Sequence, residues 1–593
     1  MILQALKDYY DRQAASTKGE EVAPFGWEHK EISYVFVLAT DGTLSHIDDM
    51  REGEGKKLRG KRMLVPEGAK KTSGIVANLL WDVAGYVFGV VAPEGRSDDK
   101  NVARAKECQQ AFLDRLVKEL PDLPAVEAVV TFLTNMTPDC LRADPHWETI
   151  ETTNPVVSFR IVGDMQLVCR RPEVVARIDG VAMEATVCQE ATCLVTGQKG
   201  PIKTLHRAIK GVYGAQSSGA NIVSFNLSAF ESFGKEQGLN APVGSIAEFA
   251  YTTALNTLLG RESKQRLSIG DASTVFWSAS GSKFEQDFAS FFAEPSKDDP
   301  DAQTSRVSAL FQSVHSGAYL SDESSNKFFI LGLSPNAGRI SVRFWQVGSI
   351  GEVATRIRQY FDDFAIVKPP NEPQYYSLWR ILVNVATQDK SENIPPNLAG
   401  DFMRAIIGGT PYPAILLQAA LRRIKSDIEH RVKPVRAALI KAYLNRYHRF
   451  HPESNHKEVT MHLDVNQPSL GYQIGRLFAV LEKIQEEANP GINATIRERY
   501  YGAASTTPVT VFSRLLQLKN HHLAKLSNRG RVVNFERLLG EIMIHVTDFP
   551  SHLDLNEQGR FAIGYYHQRQ AFFTKKELKD EQELLLNDSA DIK

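Results

Sequence analysis

The sequence predicts an α+β protein, with a mixed, hairpin-rich N-terminal part over residues 1–370 followed by a C-terminal α-helical bundle over 371–593. Three observations predict it. Short alternating runs bounded by glycine turns recur through the first part. Strand-like alternation stops after the proline-rich segment 368–373, which sets the boundary. Beyond it, apolar residues repeat at helical spacing through long segments. At 593 residues the chain exceeds a single core, and 43% hydrophobic with 23% charged residues describes an ordinary globular protein. Lys+Arg at 69 against Asp+Glu at 70 excludes bulk basicity, so a nucleic-acid surface must come from segregated charge.

In chain order, residues 1–13 read as an amphipathic helix, without the charged and apolar regions of a signal peptide. Residues 32–47 read as two strands joined at Asp41-Gly42. The basic run 51–71 reads as an exposed loop. Its Gly55, Gly60 and Lys61 imitate a phosphate-binding loop, but Arg62 stands where Ser or Thr must hold magnesium. The apolar window 75–92, broken by Asn78, Asp82 and two glycines, fits a buried helix better than a membrane span. Lys70, Lys71, Thr72 and Ser73 precede it. A hydroxyl cap with lysines outside a helix N-terminus aims N–H groups and positive charge at an anion, although a plain capped helix explains the same residues.

A charged helix over 101–120 ends at Pro121 and Pro124, and 126–133 reads as a strand. Residues 156–170 read as a hairpin turning at Gly163-Asp164, and 188–196 as a strand. Then come a helix over 245–259, a strand over 275–278, an acidic surface loop over 294–305 and a hairpin over 328–347. In that hairpin Ile340, Val342 and Phe344 face inward, with Arg339 and Arg343 outward. The candidate bundle helices span 401–430, 434–450, 469–488, 510–526, 532–546 and 558–573.

The stretch 203–226 is organised differently from the rest. A basic amphipathic run (Lys203, His206, Arg207, Lys210) leads into a loop of Gly211, Gly214, Gln216, Ser217, Ser218 and Gly219, then into a strand ending at Asn226. Glycines let a backbone approach a ligand, and small polar side chains donate to phosphates or base edges. The residues alone leave an ordinary helix-to-strand connection equally open. The bundle adds two basic blocks. Residues 421–450 hold nine cations (Arg422, Arg423, Lys425, Arg431, Lys433, Arg436, Lys441, Arg446, Arg449) against Asp427 and Glu429, with Tyr443, Tyr447 and Phe450 interleaved. Residues 497–537 hold eight (Arg497, Arg499, Arg514, Lys519, Lys525, Arg529, Arg531, Arg537) against Glu498 and Glu536. Cations for phosphates and rings for bases suit single-stranded nucleic acid, while a solvated basic face explains any one helix.

Signals for chemistry are weak. Cys188 and Cys193 form a C-x4-C without a second pair, so no metal or cofactor is expected. Five scattered cysteines point to a reducing, cytoplasmic setting. The alternative to a binding protein is a nucleic-acid-processing enzyme or hydrolase using His206 and Ser217. That serine lies in A-Q-S-S-G, but a nucleophile elbow needs a strand before it and a helix after it.

Several ordered motifs carry a resemblance that spans essentially the whole chain. They are MILQAL at the start, Lys71-Thr72-Ser73-Gly74 running to Asn78-Leu79-Leu80-Trp81-Asp82, Cys193-Leu194-Val195-Thr196-Gly197, His206 with Ile209-Lys210-Gly211-Val212, Gly214-Ala215-Gln216-Ser217-Ser218-Gly219-Ala220, Ser224-Phe225-Asn226 with Ala229-Phe230-Glu231-Ser232, Leu333-Ser334-Pro335-Asn336, and Arg343-Phe344-Trp345. Together they resemble the large subunit of the type I-C (Dvulg) CRISPR Cascade surveillance complex. Lys71 stands where that family has Arg, and Phe233 where Tyr is usual; Lys cannot form the bidentate fork of Arg.

The resemblance implies a non-catalytic subunit in a crRNA-containing Cascade with backbone, crRNA-processing and small subunits. It implies recognition of a protospacer-adjacent motif in target double-stranded DNA, help with R-loop opening, and presentation of the displaced strand to a helicase-nuclease, without a membrane. On that reading Lys70, Lys71, Thr72, Ser73, Asn78, Lys203, His206, Lys210, Gln216, Ser217, Ser218 and Asn226 contact the motif. The cations of the two basic blocks hold the non-target strand: Arg422, Arg423, Lys425, Arg431, Lys433, Arg436, Lys441, Arg446 and Arg449, then Arg514, Lys519, Lys525, Arg529 and Arg531. The resemblance also implies a small subunit translated from the end of the reading frame, for which Met461 is one candidate start.

Overall fold

A computed structural model describes residues 1–16, 22–55, 58–69, 74–91, 99–137, 141–184, 190–269, 272–292, 312, 315–316, 325–395, 397–427, 432–452 and 457–573. Lys70, Lys71, Thr72, Ser73, Cys188, Arg431 and the 294–305 segment lie outside the described residues. Backbone contacts divide the chain into two compact units: Met1–Lys210 with Ser218–Thr257, and Gly211–Ser217 with the chain from Leu258 onward.

The strands of the first unit are β1 (Trp27–Ile32), β2 (Tyr34–Leu38), β3 (Leu44–Asp49), β4 (Lys61–Pro66), β5 (Trp81–Val83), β6 (Val156–Ile161), β7 (Glu190–Thr192) and β8 (Lys199–Pro201). All five residues of β2, Tyr-Val-Phe-Val-Leu, are buried, as a strand covered on both faces requires. It runs antiparallel to β3 and parallel to β6, giving the order β3-β2-β6-β5. The expected turn at Asp41-Gly42 joins β2 to β3, with Gly42 at φ +86°. Phe36 anchors the core, its ring 4.6 Å from Phe88 and 6.2 Å from Phe132.

Several expectations for this unit are corrected. Part of the basic run 51–71 is not a loop, because β4 pairs antiparallel with β1 and turns Val65 inward. Helix Pro124–Asn135 replaces the expected strand. Pro124 starts it, and Ala125, Val126, Val129, Phe132 and Leu133 are buried at helical spacing. The 156–170 hairpin does not form, since β6 pairs with β2 and the chain leaves the sheet after Gly163. The window 75–92 holds no capped helix at its start. Among its described residues the one helix, Ala84–Phe88, follows β5, and the preceding segment is tied by the Asn78 N–H donating to the Asp82 carboxylate at 2.9 Å. Residues 222–226 are not a strand; a single bridge, Ile209 with Ala220, closes that region.

The second unit opens with a four-stranded antiparallel sheet of β9 (Arg266–Ile269), β10 (Ala272–Ser278), β11 (Lys327–Asn336) and β12 (Arg339–Ser349). The β11/β12 hairpin forms as expected, but a bulge at Gly332/Leu333 shifts the alternation, leaving Val342 exposed while Ile340 and Phe344 stay buried. Gly332 permits this, because an added Cβ would meet the Phe344 ring at 2.2 Å. Helices follow from Ile350–Phe364, which Ser349 and Glu352 open with a reciprocal capping box. Phe276, Phe328 and Ile330 of the sheet share one apolar core with Ile357, Phe402 and Leu439 of the helices. A boundary at 370 would cut through that core, so it does not separate the units.

The 434–450 helix is Pro434–Phe450 as expected, whereas 401–430 breaks into Leu398–Gly408 and Ala414–Ser426 at Gly409, φ +68°. Leu378–Val385 and Ile496–Thr506 are further helices that the sequence reading did not anticipate. The centre of the bundle is the pair Leu470–Ala488 and Leu555–Ala571, buried almost all round. Glycines let them touch backbone to backbone: a Cβ on Gly475 would lie 2.1 Å from the Phe561 carbonyl oxygen. Phe512–Lys525 and Arg529–Met543 complete the bundle, each burying only a narrow apolar stripe.

Candidate nucleic-acid interface

Asn78 is 4% exposed, and its side-chain oxygen accepts the Ala69 N–H at 2.9 Å. The amide expected to read a base edge instead ties together two turns of backbone, and its burial removes it from direct contact.

The 203–226 stretch is built on a clamped base. His206 is 3% exposed, and its Nδ1 lies 2.6 Å from the Tyr251 hydroxyl. Arg207 lies over the Phe249 ring, 3.9 Å from its centroid, and its backbone N–H donates to the buried Glu248 carboxylate at 2.7 Å. Burial pushes the Glu248 carboxyl up, against the pull of Arg207. The Asn221 side-chain amide donates to the carbonyls of His206 and Arg207 at 2.9 and 3.1 Å. Lys203 is half-buried, its N–H donating to the Val243 carbonyl. These bonds hold the base of the loop and take His206 out of surface contact.

Further along the chain, Gly211, Gly214 and Gly219 have φ of +85°, +75° and +89°. At Gly219 an added Cβ would meet the Ile209 carbonyl oxygen at 2.8 Å, so only glycine fits beside the bridge. The Tyr213 N–H donates to the Ser273 hydroxyl at 2.8 Å, anchoring the Gly211–Ser217 piece within the second unit. Lys210, Gln216, Ser217, Ser218 and Asn226 are exposed. The side chains of Gln216, Ser217 and Ser218 make no hydrogen bond to the described residues. No helix follows Ser217, so the elbow that a serine nucleophile needs is not formed. His206 pairs with Tyr251 and not with that serine.

The 421–450 block turns largely inward. Arg436 is fully buried, donating to Asp427 at 2.9 Å, Asp389 at 3.1 Å and the Asn384 carbonyl at 2.9 Å. Asp389 also takes Arg423 at 3.4 Å and Lys433 at 2.7 Å. Asp363 takes Arg446 at 3.6 Å and Arg449, while Lys441 donates to the Asp363 carbonyl at 3.0 Å. Burial pulls the Lys441 ammonium down and pushes the Asp363 carboxyl up, against the pull of its basic neighbours. Arg436, Lys441 and Arg446, expected on a strand-binding face, are therefore interior groups matched by nearby carboxylates and carbonyls. Lys425 is half-buried and bonded to Gln558 at 2.8 Å; with the exposed Arg422 it lines a cleft of about 440 Å³ between Ala414–Ser426 and Leu555–Ala571.

Beyond Arg497, which is half-buried and paired with Glu498 at 2.7 Å, the 497–537 block faces outward. Arg499, Arg514 and Arg529 are exposed with no ion pair to a described residue. Arg531 pairs with Glu487 at 2.6 Å and Lys519 with Glu536 at 3.2 Å, while Lys525 donates to the Asn489 side chain at 3.2 Å. Surface pairs of this kind are worth about 1 kcal/mol or less, so an incoming phosphate competes with them. Among rings, Tyr443, Tyr447 and His451 stack in series, with centroids 6.1 and then 4.1 Å apart.

The partners Asp363 and Asp389 escaped the sequence reading because they lie outside the basic block they neutralise. No cluster of three or more metal-ligating side chains occurs among the described residues, and Cys108, Cys169 and Cys193 are free and buried. No helix of the described residues is long and apolar enough to cross a membrane.

Similarity over nearly the full chain puts these features among the CRISPR-associated proteins: residues 6–573 match the family model described as CRISPR-associated protein (Cas_Csd1). The chain belongs to that family, the type I-C large subunit of Cascade. No curated protein matches it.

Proposed function

We propose that the chain recognises a short protospacer-adjacent motif in duplex DNA, helps open that duplex for guide pairing, and holds the displaced strand for a recruited helicase-nuclease, without chemistry of its own. The observation that carries this reading is the loop bearing Gln216, Ser217 and Ser218. Its donors are exposed and unengaged by the described residues, while its flanks are fixed by glycine turns and by the Ile209–Ala220 bridge. Preorganised amide and hydroxyl groups suit base edges and phosphates, because little ordering is left to be lost on binding. Lys210 beside the loop adds a phosphate contact. Arg499, Arg514 and Arg529, with the weakly paired Arg531, Lys519 and Lys525, suit the displaced strand, and Arg422 extends that role from its own helix. Family membership supports the setting, a Cascade complex carrying a guide RNA. Helices Leu470–Ala488 through Leu555–Ala571 all lie beyond Met461, so a product starting there carries the bundle's central pair.

The test is competition binding of the assembled complex to DNA with correct and scrambled motifs. Gln216→Ala and Ser217→Ala are each expected to weaken discrimination between the two. Unchanged discrimination in both variants removes the reader role from the loop.

A further inference from the structure

Phe233 is 97% exposed, the most exposed large apolar side chain of the described residues. Its backbone sits at φ +54° and that of Gly234 at +65°, inside the antiparallel bridge between Ser232 and Lys235. Positive φ at both central residues marks a type I′ hairpin turn, whose first central position Asn, Asp or Gly ordinarily fills. A phenylalanine there is strained, since its side chain offers no local hydrogen bond in return for the left-handed backbone.

The turn is braced from below. The Asn240 side chain accepts the Ser232 N–H at 3.0 Å and donates to the carbonyls of Lys235 at 2.8 Å and Gln237 at 3.0 Å. The Gln237 N–H donates to the Glu231 carboxylate at 3.1 Å, and the Gly238 N–H to the Thr204 carbonyl at 3.0 Å. Gly238 seats the arm closely, since an added Cβ would lie 2.4 Å from that carbonyl oxygen. A strained, rigid, two-residue tip thus presents one flat ring to water, and no described ring stacks on it.

We infer that Phe233 is the side chain that enters the base stack where the motif duplex opens, taking the stacking position of the first base pair to separate. The assignment rests on the duplex-opening role proposed above. A ring on a narrow turn fits the gap between neighbouring base pairs, where apolar wedges unstack DNA. Its surroundings suit phosphates: Ser228, Ser232 and Lys235 are exposed donors, and the Glu231 carboxylate is engaged by the Gln237 N–H. Aromaticity is what the position needs, so tyrosine serves equally.

The test uses the assembled complex with guide RNA and target DNA carrying 2-aminopurine beside the motif. Fluorescence reports opening of that base pair in wild type, Phe233→Ala and Phe233→Tyr. Phe233→Ala is expected to open duplex DNA about tenfold more slowly, the scale of one lost base–aromatic stack, and to bind DNA already unpaired beside the motif as wild type does. Phe233→Tyr is expected to open duplex at the wild-type rate. Unchanged opening by Phe233→Ala overturns the assignment, as does an equal defect on paired and pre-opened DNA. Failure of Phe233→Ala to co-purify with the other subunits also overturns it, in favour of a protein-docking anchor. A wild-type complex that leaves the duplex closed overturns the opening role itself, and this assignment with it.

Discussion

The 421–450 block turns largely inward: Arg436 and Arg446 are 0% and 1% exposed, Arg436 bonded to Asp389, Asp427 and a carbonyl, and Arg446 ion-paired with Asp363. In the 497–537 block Arg499, Arg514 and Arg529 stand in solvent on helices that bury only narrow stripes. The two hold nearly equal numbers of cations, yet one block builds the bundle and the other offers a surface. Desolvation decides between them. A buried guanidinium must be matched by carboxylates or carbonyls, and once matched it projects little field outward.

The sharpest way to break this comparison is Arg436→Met. It removes the buried guanidinium that Asp427 and Asp389 share and is expected to destabilise the second unit by about 3 kcal/mol, read as a lowered melting transition. Loss of DNA binding at an unchanged melting temperature would return Arg436 to the surface role. Next in size, Gln216→Ala is expected to cost about 1 to 3 kcal/mol of discrimination between correct and scrambled motifs, with stability unchanged.

The interior of the bundle also responds to acid. Burial, with His462 and Lys441 nearby, holds the His567 imidazole at a pKa of about 3, against an ordinary 6.5. The unfolded chain therefore binds the extra proton as pH falls below 6.5, and stability declines by up to about 1.4 kcal/mol per pH unit until about pH 3. Thermal melts of wild type and His567→Gln should diverge in slope across that window. Parallel slopes would mean that the imidazole is not buried neutral.

Smaller effects sharpen the outward-facing side. Arg514→Gln with Arg529→Gln should leave melting unchanged and flatten the salt dependence of displaced-strand binding by about 1.4, at roughly 0.7 per phosphate contact on single strands. Glu487→Gln releases Arg531 and should tighten strand binding by less than about 1 kcal/mol, measured by titration at low salt.

Local signals in the sequence located much of this architecture. Asp41-Gly42 marked its hairpin, and Pro434 opened a helix where expected, because turns and caps are decided within a few residues. The family was legible from ordered motifs. What failed depended on distant partners. Residues 126–133 read as a strand by composition, but their burial pattern belongs to a helix packed in the core. The bulge at Gly332/Leu333 reversed Val342, and no local signal announces which strand carries the extra residue. For the site, counting charge within a window missed Asp363 and Asp389, which neutralise Arg449 and Arg423 from 86 and 34 residues away. The resemblance places Asn78 and His206 against the motif, whereas burial gives both a structural task. Phe233 carried a signal in its following Gly234, since an aromatic in a Ser-Phe-Gly-Lys turn is exposed unless the turn is covered.

The central claim is that the displaced strand lies on the 497–537 helices and not on the inward-turned helix Pro434–Phe450. Photo-crosslinking of the R-loop in the assembled complex, with 4-thiothymidine placed along the displaced strand, tests it directly. The account predicts crosslinked peptides from Phe512–Lys525 and Arg529–Met543. Crosslinks confined to Pro434–Phe450 would contradict it.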